Sequence, residues 1–520
     1  MYHEIEIRVS PEEARESHLI WRRVAGQLHL PVERVKHVEL IRKSIDARQR
    51  NVVMQLKLGV HVDRLEQREV AFVPEYRDVS GKPSVVIVGA GPAGFFAALR
   101  LIERGIRPIV LERGKRVEER KRDLNQLYKS GVVDEDSNYG FGEGGAGTFS
   151  DGKLFTRSTK RGNVDRILGI LVHHGASKAI LIDAHPHIGT DQLPMVMVNI
   201  RKTIEKYGGE VRFNSRVKDI IITNGQVRGV VVNEQEILTD HVILATGHSA
   251  RDVYHMLHNR SIQMVPKEFA VGLRLEHPQE LIDRVQYHLP QGRGDYLPAA
   301  EYRFVTQVNG RGVYSFCMCP GGVVVPAATS PHQQVVNGMS ASGRNTPWAN
   351  SAIVTSVGEQ ELRSLNYTGL FGGIRFQESL EEEAWRQGGG ALIAPAQRLP
   401  HFLAGKTSQV LPRTSYKPGI QSSCFQEWLP GFVYERLKKA LIQFGQKADG
   451  FVSGEALLMG VETRTSSPLR IPRDGKQMVH PEIKGLFPCG EGAGYAGGIV
   501  SAAMDGEACS EAILPFKRAF

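Results

Sequence analysis

Apolar residues recur at several distinct spacings along this chain, and each spacing predicts a different kind of element. Residues 85–88 and 109–111 are unbroken runs of β-branched and aliphatic residues, the composition of strands buried on both faces. Between them, residues 95–104 read as a helix that stops at Gly105. Nearer the start, Ile5, Ile7 and Val9 alternate with charged residues, as a half-buried strand does. Met54, Leu56, Leu58, Val60 and Val62 share one face of a strand over 52–62, and 38–45 reads as another strand. Ser10-Pro11-Glu12-Glu13 has the form of a capping box, and the helix it opens runs to about Leu28 with Leu19, Ile20, Val24 and Leu28 on one side. The proline- and glycine-containing stretch 74–83 reads as a linker.

Further on, 115–129 is a highly charged helix, 179–183 a strand, and 211–222 with 227–232 a hairpin across Thr223-Asn224-Gly225. Residues 241–244 form a buried strand ending in Ala245-Thr246-Gly247. The middle of the chain offers strands at 269–275, 302–308, 313–319 and 353–357, and helices at 380–386 and 434–444. Residues 486–489 read as a last short strand, and a helix opens near Ile499.

The chemistry sits where these elements break. The first buried strand ends in Gly89-Ala90-Gly91-Pro92-Ala93-Gly94. Gly89 makes the turn, Gly91 lets a pyrophosphate approach the backbone, and Gly94 lets the helix lie close to the strand. The helix N-terminus offers free N–H groups. The second strand delivers Glu112, where a carboxylate can accept from a ribose hydroxyl. Strand, glycine turn, helix, strand and acid together predict a dinucleotide site. The alternative is a glycine turn in an ordinary α/β domain. Residues 139–155 are too rich in glycine for a helix or strand interior. They read either as a loop covering the cofactor, with Gly144 and Gly145 against it, or as a surface loop. Near the C-terminus, Gly490 and Glu491 follow the last strand, and Gly498 and Ile499 open the last helix. A carboxylate there can bond the sugar-alcohol chain of a flavin, and the helix N-terminus can stabilise negative charge on the reduced ring. Arg113, Val217, Thr246 and Gly247 complete the expected cofactor contacts.

Candidate catalytic residues are Cys317, Cys319 and Arg464. Two cysteines two apart on a strand face the same way, with Cα atoms roughly 6.6 Å apart. That is near the upper limit for a disulfide, so a bond between them would be strained and easily reduced, as suits a redox relay. The pair could equally be two small buried hydrophobes. Two ligands are too few for a metal, and no metal site is expected. Arg464 could hold a substrate carboxylate, steady reduced flavin, or form a structural ion pair. His248 reads as a packed or capping residue rather than a proton shuttle.

Composition narrows the setting. A chain of 520 residues holds two or three domains. Its five cysteines are scattered, which excludes a disulfide framework and fits a reducing, cytoplasmic compartment. The N-terminus lacks the apolar core of a signal peptide, and no apolar run is long enough to span a bilayer. The net charge is +9. Part of that excess lies in Arg113, Lys115, Arg116, Arg120, Lys121 and Arg122, interleaved with Glu118, Glu119 and Asp123 as on a solvated helix. Charge alone therefore does not argue for a nucleic-acid partner.

Two widely separated pieces, the glycine turn and the C-terminal strand-glycine-acid-helix unit, form one site in this reading. That pattern resembles the FAD-binding fold of the glutathione-reductase superfamily. More narrowly, the chain resembles a family of bacterial FAD-dependent dehydrogenases through 42–48 (RKSIDAR), 142–154 (GEGGAGTFSDGKL), 316–322 (FCMCPGG), 461–468 (VETRTSSP) and 490–499 (GEGAGYAGGI). The resemblance implies that Gly89, Gly91, Gly94, Glu112 and Glu491 contact FAD. Many relatives in the wider superfamily carry Asp where this chain has Glu491, which changes reach rather than charge. It implies a cofactor and a reaction class but no substrate. The expected architecture is an α/β, Rossmann-like FAD fold (84–264 and 461–520) with an inserted mixed α+β substrate domain (265–460) and a small N-terminal α+β domain (1–75). The expected function is oxidoreduction of a small molecule through non-covalent FAD. No second glycine fingerprint stands between 114 and 485, so NAD(P)H would act as a visiting reductant without a domain of its own. The rivals are an RNA-modifying flavoprotein and an FAD-bound protein without catalysis. Oligomeric state is left open.

Overall fold

The computed structural model describes residues 1–49, 51–65, 72–156 and 162–513. Residues 66–71 of the expected N-terminal unit and 514–520 of the expected last segment lie outside them.

The N-terminal unit is an antiparallel sheet of β1 (Tyr2–Val9), β2 (Val35–Asp46) and β3 (Val53–Val62) in the order β1-β3-β2, with α1 (Ser17–Gln27) on one face. The alternating residues Ile7 and Val9 meet Met54, Leu56, Leu58, Val60, Ile20 and Val24 in one core. The capping box forms: the Glu13 N–H donates to Ser10 Oγ at 3.1 Å and the Ser10 N–H to Glu13 Oε2 at 3.0 Å. It caps only a 3₁₀ turn, Glu13–Arg15, and the helix starts afresh at Ser17 after an extended Glu16. Next to this break Arg15 bonds the Asp295 carbonyl and lies over the Tyr296 ring.

The second body starts with β4 (Ser84–Val88), α2 (Pro92–Glu103), β5 (Arg107–Leu111), α3 (Val117–Ser130), α4 (Val164–His173) and α5 (Leu193–Lys206). It continues with β6 (Glu210–Arg212), β7 (Val217–Thr223), β8 (Gln226–Val232), β9 (Gln235–Leu238), β10 (Val242–Leu244) and α6 (Arg251–Asn259). Two expectations fail here. Residues 179–183 form no strand; Lys178–Leu181 is a 3₁₀ helix because Ser177 Oγ accepts from the Ala179 N–H and turns the chain. Residues 211–222 are two strands, β6 and β7, in different sheets, since Asn214 at φ +50° bends the backbone between them. The Asn224-Gly225 turn does close β7 onto β8, with φ of +51° and +69° as a tight primed turn needs.

The middle region runs through β11 (Val265–Pro266), β12 (Phe269–Pro278), α7 (Gln279–Tyr287), β13 (Val305–Val308), β14 (Arg311–Cys319), β15 (Gly322–Pro326), β16 (Val336–Ser340) and β17 (Trp348–Val357). After these come α8 (Glu359–Ser364), α9 (Gly372–Gln387), β18 (Ala394–Arg398), α10 (Leu399–Ala404), β19 (Ile420–Ser422), α11 (Phe425–Trp428), α12 (Gly431–Lys447) and β20 (Leu457–Glu462). Its seven-stranded sheet, β13-β14-β17-β12-β20-β18-β19, is antiparallel except at β18–β19. Val433, Leu437, Leu441 and Phe444 of α12 bury against it, each contributing about 1.5–3 kcal/mol.

The chain then returns through β21 (Leu469–Arg470), β22 (Leu486–Pro488) and α13 (Ile499–Ala512). β22 joins the edge of a parallel sheet ordered β22-β10-β4-β5-β6. Because side chains alternate across a strand, Val85 and Ile87 face α2, α4, α5 and α13, whereas Val86 and Val88 face α6 and the β7-β8-β9 sheet. The architecture is α/β with a Rossmann-like core. The order of strands puts the C-termini of β4, β10 and β22 side by side, and the turns that carry Gly89–Gly94, Thr246-Gly247 and Gly490-Glu491 leave from those ends, with Glu112 leaving from β5.

Candidate functional site

The turn after β4 is built by close backbone approach. Gly89 sits at φ +107°, and a Cβ there would stand 2.4 Å from the Ala245 carbonyl at the end of β10. A Cβ on Gly94 would fall 1.9 Å from the Gly89 carbonyl. Glu112, buried at the end of β5, ties this turn to its surroundings. Its Oε2 accepts from the Ala90 N–H, and its Oε1 from the N–H groups of Gly114 and Gly142, all at 2.9 Å. A carboxylate offers about four acceptor positions, so these three donors leave one on Oε2 unused.

The glycine loop lies over the turn. The Gly144 N–H donates to the Ala90 carbonyl at 2.9 Å, and a Cβ on Gly145 would be 3.1 Å from Gly91 Cα. Two buried charges fix it. Arg120 of α3, expected on a solvated helix, is fully buried: its guanidinium donates to the carbonyls of Asn138, Tyr139 and Glu143 at 2.8–2.9 Å. Burial lowers its pKa to about 10. Glu143 accepts from the Val117 N–H at 2.9 Å and from Arg201 at 2.7 Å. Burial pushes its carboxyl up against those partners. Arg113 pairs with Asp136 and Asp252 and lies 4.3 Å from the Phe141 ring centroid. Beside it, Val217, Arg216, Lys218, Asp252, Val253 and Met256 line a pocket of about 230 Å³.

The C-terminal turn is held from behind. Asp505 of α13 accepts from the Gly490 N–H at 2.7 Å and pairs with Arg473, whose guanidinium lies 3.8 Å from the Tyr495 ring centroid. A Cβ on Gly506 would stand 2.0 Å from the Ala93 carbonyl, so only glycine lets α13 lie this close to α2. Glu491 faces His248 Nδ1 at 3.3 Å, and His248 Nε2 lies 3.0 Å from the Arg464 carbonyl. Thr246 and Gly247 lead from β10 to this point.

The candidate catalytic residues lie across the sheet boundary. Arg464 uses its guanidinium on Glu381 at 2.9–3.1 Å, on Gln333 at 3.1 Å and on Thr329. Burial raises the Glu381 carboxyl, but Arg251 and Arg464 outweigh it and hold the pKa near 2. Cys317 and Cys319 lie where β14 bulges: Phe316 pairs with Ala352 and Cys319 with Asn350, leaving Cys317 and Met318 opposite Ser351. Cys317 has φ +48°, so the regular pleat expected to align the thiols is broken. The Cys319 thiol instead donates to the Cys317 carbonyl at 3.4 Å.

The residues present fit FAD. A Cβ built on Gly247, Gly497 or Gly498 meets nothing within 4 Å, and one on Gly91 meets only Gly145 Cα at 4.0 Å. These glycines stand in the turn after β4, after β10 and at the start of α13, each with open space where a side chain would be. Ile499 and Pro92 each lie 3.4 Å from a Cβ built on Gly147. Arg120, Glu143, Arg201, Asp505 and Gly506 were not singled out from the sequence. The small-residue run Ala502, Ala503, Gly506, Cys509 and Ser510 carried a readable signal of close helix contact.

Three family descriptions match consecutive parts of the chain. Residues 1–61 match a domain of unknown function, 83–261 the pyridine nucleotide-disulphide oxidoreductase family, and 268–465 an FAD-dependent protein C-terminal domain. A Clostridium beijerinckii protein described as uncharacterized is 40% identical over 516 residues, covering 95% of both chains. The thiamine thiazole synthase of Aeropyrum pernix is 27% identical over 185 residues, 32% of this chain and 56% of that one. The crystal structure of CtdE in complex with FAD aligns with a TM-score of 0.33 at 13% identity, covering 83% of this chain and 87% of that one. Among the described residues no helix is long and apolar enough to cross a membrane. The chain thus belongs to one family with the Clostridium beijerinckii protein, and it is an FAD-dependent oxidoreductase that joins a pyridine nucleotide-disulphide oxidoreductase domain to an FAD-dependent C-terminal domain.

Proposed function

We propose that FAD lies along the open glycine path, non-covalently held, and that the protein oxidises or reduces a small molecule between that path and the seven-stranded sheet. The Gly91 backbone and the N-terminus of α2, with Gly144 and Gly145, would hold the pyrophosphate, and Glu112 would accept from the ribose, with Val217 toward the adenine end. Thr246, Gly247, Gly490 and Glu491 would hold the sugar-alcohol chain, and Gly498 and Ile499 the ring. FAD supplies a reversible two-electron acceptor. The chain binds, orients and shields it: Arg120 and Glu143 fix the loop over the turn, Asp505 fixes the C-terminal turn, and the free N–H groups of α13 face developing negative charge.

The observation that carries this reading is the row of glycines whose missing side chains face open space rather than neighbours. Nicotinamide dinucleotide fits as a visiting reductant, since the parallel sheet with its single glycine turn is committed to FAD. We place the protein in a reducing, cytoplasmic setting, as its free cysteines suit, acting on a small molecule. Titrating apoprotein with FAD, followed by quenching of flavin fluorescence, tests the placement. Gly91→Val and Gly498→Val should each weaken binding at least tenfold. Unchanged affinity in both variants would overturn it.

A further inference from the structure

The deeply buried carboxyl groups of Glu112, Glu276 and Glu381 are each held by several donors. Glu276 accepts from Thr414 Oγ1 at 2.6 Å and from the N–H and hydroxyl of Ser415, and Glu381 from Arg251, Arg464 and the Thr463 hydroxyl. Glu462, 3% exposed at the end of β20, differs. Its Oε2 lies 3.4 Å from Arg274 Nη1, and among the described residues its Oε1 accepts no hydrogen bond. The Arg274 guanidinium, itself fully buried, is committed elsewhere: it donates to Asn350 Oδ1 at 2.7 and 2.9 Å and to the Cys317 carbonyl at 2.9 Å. A buried carboxyl so short of donors adds nothing to the fold that an apolar residue would not.

Its place in the sheet supplies a use. Glu462 pairs with Gly272 of β12, and the register continues through Val354 of β17 to Tyr314 of β14, on the sheet face away from α12. There the partly exposed rings of Tyr314 and Phe316 pack on Ala270, Ala352 and Val354. The Thr465 hydroxyl donates to the Ala270 carbonyl at 2.8 Å, and the Arg464 carbonyl meets the His248 that faces Glu491. Residues 462–465 therefore join this face to the Glu491 turn, with Glu462 at most about 7 Å of chain from Arg464. The charged and titratable groups facing Glu462 are Arg274 of β12 and Cys317 and Cys319 of β14, with Lys153 beyond them; Glu381 of α9 bonds the neighbouring Thr463. Burial outweighs Arg274 and raises the Glu462 carboxyl to about 7.

We propose that Glu462 takes the hydroxyl proton of an alcohol substrate while the carbon bearing that hydroxyl gives its hydride to FAD; this rests on the FAD placement proposed above. The substrate C–H bond breaks and its electron pair leaves with the hydride. The O–H bond breaks, its proton passes to a Glu462 oxygen, and the carbon–oxygen double bond forms. Arg274 is a positioning residue that offsets the carboxylate charge until the proton arrives. Arg274 and Lys153 beside the acid disfavour an ammonium group, so a neutral hydroxyl suits the site. Tyr314 and Phe316 offer rings for the apolar part of the alcohol.

The test is infrared difference spectroscopy on the FAD-loaded protein, reduced electrochemically without oxygen. Negative charge gained at the flavin raises the proton affinity of a nearby carboxylate. About one unit above pH 7, reduction should bring up a protonated-carboxyl C=O band that shifts in heavy water; about one unit below, Glu462 already holds its proton and no band should grow. Glu462→Gln should abolish the band with flavin content kept, and Glu462→Asp should retain a shifted one. Aliphatic alcohols, aromatic alcohols and hydroxy acids, mixed anaerobically as probes, should include one that bleaches the wild-type flavin. Glu462→Gln should slow that bleaching about a hundredfold or more. No band in wild type, or the same band in Glu462→Gln, would overturn the proposal. So would a flavin that the electrode reduces and no alcohol of these three kinds bleaches. Wild-type protein that takes up no flavin would instead overturn the FAD placement, and this proposal with it. The wild-type infrared measurement requires no variant to fold.

Discussion

Each oxygen of Glu112 already accepts from backbone, so this side chain shapes the glycine turn, and in the proposed placement its remaining position takes a ribose hydroxyl. Glu112→Gln keeps the shape but turns an amide N–H₂ toward backbone donors. With charge-assisted hydrogen bonds worth about 1.5–3 kcal/mol each, FAD affinity should fall ten- to a hundredfold in a reconstitution titration. Glu381 carries a different load, as the shared counter-charge of Arg251 and Arg464. Its pKa is held near 2 against an ordinary 4.5, so the unfolded chain binds the extra proton first. The stabilisation is complete above pH 4.5 and is lost as pH falls toward 2. Glu381→Gln leaves two largely shielded guanidinium groups without their shared counter-charge and should cost about 3–5 kcal/mol by urea unfolding at neutral pH. A loss below 1 kcal/mol would contradict the ion-pair reading. At this scale the sequence was readable where a motif fixes the backbone, as at Gly89 and Glu112. It was not readable where long charged side chains choose between water and the interior. Arg120 stands in a run that looks solvated, yet three carbonyls of a distant loop draw it inward.

Elements carry the next level of the site. α13 lies on α2 through Gly506 against the Ala93 carbonyl, and Asp505 beside it holds the Gly490 turn. Gly506→Val should therefore lower stability by about 1–3 kcal/mol through overpacking and weaken FAD binding together, measured by thermal unfolding with and without added FAD. Arg120→Met should act through α3: the loop carbonyls lose their donors, and limited proteolysis should cut within 138–147 faster than in wild type. Protection equal to wild type would show that the loop needs no such anchor. Hairpins and buried strands could be read because local rules govern them, as Asn224-Gly225 does. The bulge at Cys317 and the 3₁₀ helix at 178–181 could not, because apolar residues at strand spacing do not report where the hydrogen-bond ladder breaks or where a serine cap turns the chain.

In the molecule as a whole, the site exists because the chain leaves the parallel sheet after β10, builds the seven-stranded sheet, and returns as β22 to the neighbouring position. That return was legible as two half-motifs far apart in sequence. The long-range ties that close it, Arg473 to Asp505 and His248 to Glu491, were not, since nothing local predicts them. The central claim is one FAD per chain, held without a covalent bond along the glycine path. Acid precipitation of the reconstituted protein tests it most directly. The expected result is a colourless pellet and about one equivalent of intact FAD in the supernatant. A yellow pellet over clear supernatant, or a protein that takes up no flavin at all, would contradict it.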